Sequence, residues 1–575
     1  MNHIPRQRGL YKRMYVMRSM SLTKHCIRDI WLAMNDLGSL AWPLGSATYL
    51  SVLLLASLYI LRGYRKSQKQ RTTRIQGPRS SDWVFGFSKI LLDSSIASQL
   101  YESWASEYGS VYRVPYALGD SRVVLWDPKA ISHFFARDTW LYNQTPFNKI
   151  GVRLAIGRGL LWADGESHKR QRKALNPAFS AAAIRSLASI FQDAAHKAVL
   201  AWDAEIGSKQ GTDCAVLDVQ QWMNHISLDG VGMAVLSHDF GALDGKDSGV
   251  ARVLNAFGSS NNVSQNLLAL IERFPSIMML PLPRAQSSQK LNQIVGEICR
   301  EMLARTRKEK EIGGVEQGDK SCLGLLLKAE ESGSNVGLTQ QEVIDEAKVI
   351  LLAGFETTAV SMTWALIELA RNPDVQTKLR DECLDFGSTP SYDDLTNKLP
   401  YLDAVVHEIL RLHAPVKEIP RMAMQDDVIP LSEPVRIADG DFTDRICIQK
   451  GTVILVPFAA LNCSISMWGP DAKMFKPSRW LAENQGTQEA KAEALHGYRH
   501  LMTFGDGARM CLGRLFALTE FKAVLFVLVR NFVFEMTDGP LLEIVESKGT
   551  LPRPSVAGSD VPGFSLPLRV RRFEV

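Results

Sequence analysis

A chain of 575 residues that is 46% hydrophobic and 22% charged must bury a sizeable core, which excludes a peptide-sized module and a disordered chain. Length alone allows one large domain or up to about four ordinary ones. The net charge of +5 is unevenly placed: residues 1–74 hold 13 Lys and Arg against Asp29 and Asp36, so the remaining 501 residues, with 53 basic and 59 acidic groups, are slightly acidic. A basic leader on such a body points to a membrane edge or targeting segment rather than to nucleic acid.

In chain order, residues 1–36 read as a basic arm and residues 37–61 as a transmembrane anchor, because no charge occurs from Leu37 to Leu61 and Tyr49 to Leu61 is almost wholly apolar. Trp42, Tyr49 and Tyr59 lie towards the ends of the run, where aromatic rings favour the interface. A buried helix or a removable signal peptide is the alternative, but the run exceeds a signal peptide's apolar region and no small-residue cleavage pattern follows it. Residues 62–78 form a basic linker ending in a Gly77-Pro78 hinge, and six cations from Arg62 to Arg74 place the body, residues 79–575, in the cytosol. A mitochondrial presequence is the minority reading of the arm. The sequons at Asn143, Asn262 and Asn462 would matter only for a lumenal body, and eight scattered cysteines without a CxxC pair suit a reducing compartment.

Within the body, Val111 to Val114 and Arg122 to Leu125 read as short strands, and the signal beyond Gly165 is mostly helical. Phe274 to Pro283 is too proline-broken for a regular core helix. Arg305 to Gly337 reads as a solvated helix end and loop. Thr339 and Glu342 form a capping box that opens a helix lasting until Asn372-Pro373, about 50 Å at 1.5 Å per residue, so the expected fold is a single large, mainly helical domain with small β-sheets. No P-loop and no Rossmann GxGxxG is present, and His407-Glu408 fails as a zincin motif because position 411 is Arg.

The sharpest chemical signal is Phe504-Gly505-Asp506-Gly507-Ala508-Arg509-Met510-Cys511-Leu512-Gly513. A lone Cys among apolar residues is usually an inert buried thiol. Here Gly507 and Gly513 permit close backbone approach, Arg509 supplies a cation and Phe504 an aromatic wall, a setting suited to a thiolate on a metal within an anionic cofactor. A second signal is the polar knot Ala353-Gly354-Phe355-Glu356-Thr357-Thr358 inside the apolar run of the long helix. A helical threonine often only bonds back to its own backbone, but a buried glutamate needs a partner or water, and an acid beside a hydroxyl suits proton delivery. Glu408 and Arg411 share one helix face at i, i+3.

These segments resemble the haem-thiolate monooxygenases, the cytochrome P-450 superfamily, whose loop has the pattern FxxGxRxCxG. The resemblance implies that Cys511 is the axial ligand of haem b, iron protoporphyrin IX, that Arg509 pairs with a haem propionate and that Phe504 packs by the sulfur. It makes Glu356 and Thr357 the acid and hydroxyl of proton delivery, with Ala353 and Gly354 making room over the haem. It makes Glu408 and Arg411 a structural ExxR pair completed by Arg479 of the Phe475–Trp480 segment. Arg172 and Arg421 match propionate-binding positions, and His168 stands where the family has Trp. The cations around Arg172 would form a docking face. The implied activity is insertion of one oxygen atom from O2 into a lipophilic small molecule, such as a terpenoid or other secondary metabolite, by a single-pass protein of the endoplasmic reticulum membrane of fungal microsomal type. Only 62 residues follow Gly513, too few for a reductase domain, so NADPH electrons are expected through a separate flavoprotein reductase. The alternatives are a haem-thiolate isomerase or dehydratase acting without O2, and a non-catalytic haem sensor.

Overall fold

The computed structural model describes residues 72–209, 213–246, 265–280, 282–311, 322–331, 337–481, 490–537, 539, 542–547, 551–558 and 565–574. The basic arm, the transmembrane anchor and the linker up to residue 71 lie outside the described residues, as does Asn262.

The principal elements are α1 (Ser94–Tyr108), β1 (Val111–Pro115), β2 (Ser121–Leu125), α2 (Pro128–Ala136), β3 (Tyr142–Gln144), α3 (Pro146–Ile156), α4 (Gly165–Leu175), α5 (Ala188–Ser208), β4 (Cys214–Asp218) and α6 (Val219–Leu236). They continue as α7 (Gln265–Arg273), α8 (Pro283–Glu311), α9 (Cys322–Glu331), α10 (Gln340–Arg371), α11 (Pro373–Asp385), α12 (Pro400–Leu412), β5 (Ile419–Ala423), β6 (Asp427–Arg436), β7 (Phe442–Ile448) and β8 (Val453–Val456). The last are α13 (Arg514–Asn531), β9 (Phe532–Met536), β10 (Ile544–Glu546), β11 (Pro554–Val556) and β12 (Pro567–Arg572). Helix dominates, with short strands in a five-stranded sheet of order β1-β2-β8-β5-β3, a three-stranded sheet β4-β12-β9, and the pairs β6-β7 and β10-β11. In the largest sheet only β2 and β8 run parallel.

Helix α10 is the axis of the core. Both capping-box bonds form: Glu342 N donates to Thr339 Oγ1 at 3.2 Å, and Thr339 N donates to Glu342 Oε2 at 2.9 Å. Asn372 ends the helix ahead of Pro373, giving 32 residues and about 48 Å of length. By length and composition α10 would pass for a membrane span, yet it is buried in the body, packed on α6, α8, α12, α13 and β9. A helix that is apolar nearly all round needs such cover.

Three expectations change. Gly77-Pro78 is not a free hinge: a Cβ at Gly77 would lie 1.9 Å from Arg113 O, Arg113 N donates to Gln76 O at 2.8 Å, and Thr73 N donates to Cys447 O at 3.1 Å. The compact body therefore begins at Thr73, not at residue 79. The stretch read as solvated loop contains α9, which buries Cys322, Leu323, Leu326 and Leu327. Asn462 is fully buried and bonded to Thr503 and Met502, so its sequon is closed to glycosylation in the folded chain.

Candidate functional site

The cysteine loop hangs from a rigid frame. Glu408 Oε1 accepts from Arg411 Nη2 (2.8 Å), Arg479 Nε (3.0 Å) and Lys476 N (2.9 Å), while Oε2 accepts from Arg411 Nε and Trp480 Nε1, both at 2.9 Å. Arg411 Nη1 then donates to Asn462 O at 2.8 Å; Asn462 Oδ1 accepts from Met502 N and Asn462 Nδ2 donates to Thr503 Oγ1. The chain of bonds ends one residue before Phe504. An ion pair this buried is stable only because every lone pair and proton is used.

Inside the loop, Cys511 N donates to Phe504 O at 2.8 Å and Gly505 N to Met502 O at 2.8 Å. Phe504 itself is buried and lies edge-on to Tyr498. Gly507 has φ +65° and a Cβ there would sit 2.3 Å from Phe135 O, so only glycine fits. Gly513 is different: its φ is −82° and a Cβ would meet Phe179 at an ordinary 3.9 Å, so its contribution is its backbone N–H, which hydrogen-bonds the Cys511 sulfur. Cys511 is exposed at its surface yet lies deep among protein atoms, the signature of a side chain facing an interior recess. Burial pushes its thiol up, while the Gly513 N–H, Arg172 and Arg514 favour the thiolate. A metal cation on the sulfur would reverse the burial effect.

Beside the loop, cations outnumber anions. Arg509 Nη2 donates to Asp164 Oδ1 (2.5 Å), Ala163 O (2.6 Å) and Thr139 Oγ1 (3.3 Å). Arg421 Nε donates to Asp138 Oδ1 at 3.2 Å, and Lys149 also pairs with Asp164, at 2.5 Å. Arg172 on α4 has no carboxylate partner among the described residues, and the negative group it faces is Cys511. Arg421, Arg509 and Lys149 thus share two carboxylates while Arg172 has neither, and Arg509 Nε lies 3.4 Å from Asp138 Oδ1 as an ion pair without hydrogen-bond geometry. His168, one turn before Arg172 and buried, is pushed down to about 3 by burial and by Arg509, Arg172 and Arg421, so its imidazole is neutral at ordinary pH. A surplus of two positive charges next to an accessible sulfur fits a dianionic metal cofactor such as haem with its two propionates. Of the expected docking cations, Arg170 instead turns to Glu342 and Gly337 O.

On α10, Ala353 and Thr357 are open on one face of an otherwise buried helix, and Thr357 Oγ1 donates to Ala353 O at 2.7 Å. Gly354 does not share that role: a Cβ there would lie 2.9 Å from Val231 Cγ2 of α6, and Ser227 Oγ of α6 donates to Phe355 O at 3.0 Å. Its missing side chain allows two helices to touch. Glu356 is 3% exposed and accepts from Arg553 Nη2 at 2.9 Å and Nε at 3.2 Å. Sequence reasoning demanded a partner for Glu356 but no local pattern named one 197 positions away. Asp138, Asp164 and Asn462 were likewise invisible, since each acts through distant residues.

A mainly helical body, a framed loop presenting one sulfur, and a cationic flank beside it define the architecture of a haem-thiolate protein. The sequence model of the family described as Cytochrome P450 matches residues 76–556. The chain is 49% identical to cytochrome P450 monooxygenase claQ of Ampulloclitocybe clavipes over 89% of its length and 95% of that protein's. It is 48% identical to claW of the same organism (90% and 96%) and 33% identical to cytochrome P450 monooxygenase 205 of Postia placenta (87% and 92%). The chain belongs to the cytochrome P450 family and is a monooxygenase of it.

Proposed function

We propose that the protein inserts one oxygen atom from O2 into a lipophilic small molecule, as in terpenoid or other secondary metabolism, while its other oxygen leaves as water at the expense of NADPH. Electrons come from a separate membrane-bound flavoprotein reductase, and residues 37–61 anchor the chain in the endoplasmic reticulum membrane with the body, here Thr73 onward, in the cytosol. Haem b, when bound, supplies the activation of O2.

The observation that carries this reading is the recess-facing Cys511 sulfur with the Gly513 N–H and Arg172 beside it. In this reading Cys511 would hold the haem iron through its thiolate, and Phe504 would shield the sulfur. Arg172, Arg421 and Arg509 hold the propionates, with neutral His168 as a further hydrogen-bonding partner in the place where the family has Trp. Ala353, open on its face of α10, would leave room for the cofactor. Thr357, whose hydroxyl donates to Ala353 O, and Glu356, held by Arg553, would supply the hydroxyl and the acid for proton delivery. Arg411 and Arg479 serve by holding Glu408, and through Asn462 the loop, in place. The monooxygenase names of the relatives favour oxygen insertion over rearrangement without O2.

The experiment is co-expression with a flavoprotein reductase and untargeted comparison of host metabolites with and without the protein. The expected result is a new product heavier by one oxygen whose formation requires NADPH. Product formed without NADPH would instead establish an isomerase or dehydratase.

A further inference from the structure

Glu356 is held by a residue from the far end of the chain. Arg553 immediately precedes β11, is 2% exposed, and directs both Nε and Nη2 at Glu356 Oε1. Its backbone is fixed to the opposite strand: Arg553 N donates to Ser547 Oγ at 3.1 Å and Ser547 N donates to Arg553 O at 2.8 Å. On that strand Glu546 accepts from Lys417 Nζ at 2.5 Å, two residues ahead of β5. The β10-β11 hairpin is therefore tied on one strand to α10 and on the other to the approach to β5.

The pattern of bonds on Glu356 is lopsided. Oε1 accepts from both Nε and Nη2 of Arg553, and among the described residues Oε2 accepts no protein hydrogen bond. A buried carboxylate without a cation would be expensive to keep, so Arg553 supplies the charge that allows an acid at this position in an apolar helix. By occupying one oxygen only, it leaves the other to take up and release a proton.

We propose that Arg553 is a positioning residue for proton delivery: it clamps Glu356 through Oε1, leaves Oε2 for proton exchange, and ties that exchange to the C-terminal hairpin. The proposal rests on the reading of Glu356 and Thr357 as the proton path. It goes beyond that reading by making delivery depend on a hairpin far from α10 in sequence.

The test needs no substrate. Reduction of O2 to hydrogen peroxide takes two electrons and two protons, whereas reduction to water takes four of each, so slower proton delivery raises the peroxide share. The haem-loaded protein with reductase, NADPH and O2 alone is compared with Arg553→Met, Arg553→Lys and Thr357→Ala, measuring peroxide formed per NADPH. Arg553→Met is expected to raise that share by about threefold, and Arg553→Lys, which keeps the charge but loses the fork, to give an intermediate rise. In thermal unfolding, Arg553→Met and Glu356→Gln together should cost less than the sum of the two single changes. A merely structural Arg553 would lower the unfolding midpoint and leave the peroxide share alone, and an unchanged share in both Arg553 variants while Thr357→Ala raises it overturns the proposal. An unchanged share in Thr357→Ala as well removes the proton path itself, and the proposal with it. Should the Met variant fail to load haem, the Lys variant decides on the same criterion.

Discussion

Glu408 and Glu356 are both buried carboxylates paired to arginine, and they are held in opposite ways. Glu408 receives five hydrogen bonds spread over both oxygens, from Arg411, Arg479, Lys476 and Trp480. Glu356 receives two, both on one oxygen and both from Arg553. The first arrangement leaves no freedom and suits a frame that must hold the cysteine loop against strain. The second compensates the charge while leaving an oxygen for chemistry. On the proposed reading, burial alone does not separate a structural acid from one that moves a proton, whereas the distribution of bonds over the carboxylate would.

The largest effect should come from breaking the saturated site. Glu408→Ala leaves Arg411 buried without its anion, a change worth about 3–5 kcal/mol, and is expected to abolish haem-loaded folded protein; retention of full haem content with an unchanged unfolding midpoint would erase the distinction between the two acids. On the lightly held side, Thr357→Ala should keep the thiolate spectrum but cut oxygenated product per NADPH severalfold, measured once a substrate is in hand. Equal coupling in variant and parent would remove Thr357 from the proton path.

A third buried acid sharpens the contrast. Glu520 on α13 has no cation partner among the described residues, and burial pushes it up to about 8, opposed by Ser227 and Thr358. The folded chain keeps a proton there that the unfolded chain releases near 4.5, so stability falls as pH rises from about 4.5 to 8. Glu520→Gln should remove that fall, worth about 4 kcal/mol at pH 8, and unfolding midpoints at pH 5 and pH 8 measure it; a stability gain independent of pH would contradict the assignment. The smallest effect belongs to helix contact: Gly354→Ala should cost about 1–3 kcal/mol through Val231, with Val231→Ala restoring part of it in denaturant unfolding. Undiminished stability in Gly354→Ala would return the glycine to the recess.

What could be read from the sequence was local. The loop from Phe504 to Gly513, the Thr339–Glu342 cap and the Glu408–Arg411 spacing are short patterns whose physics is contained within a few residues, and Arg479 followed from the resemblance of its own short segment to the family's. Arg553, Asp138 and Asp164 escaped because their partners lie far along the chain, and no periodicity records a long-range ion pair. Helix α9 was legible and missed: Cys322, Leu323, Leu326 and Leu327 carry a helical spacing that the charged flanks obscured. Gly354 was assigned to the recess together with Ala353 by the family resemblance, but one residue of helix turns a side chain by about 100°, enough to reach another helix.

The account depends most directly on the sulfur at position 511. Carbon monoxide added to the reduced, haem-loaded protein should give the red-shifted Soret band of thiolate ligation, and Cys511→Ala should lose it. A band typical of imidazole ligation in the parent protein, or a thiolate band that survives in Cys511→Ala, would contradict it.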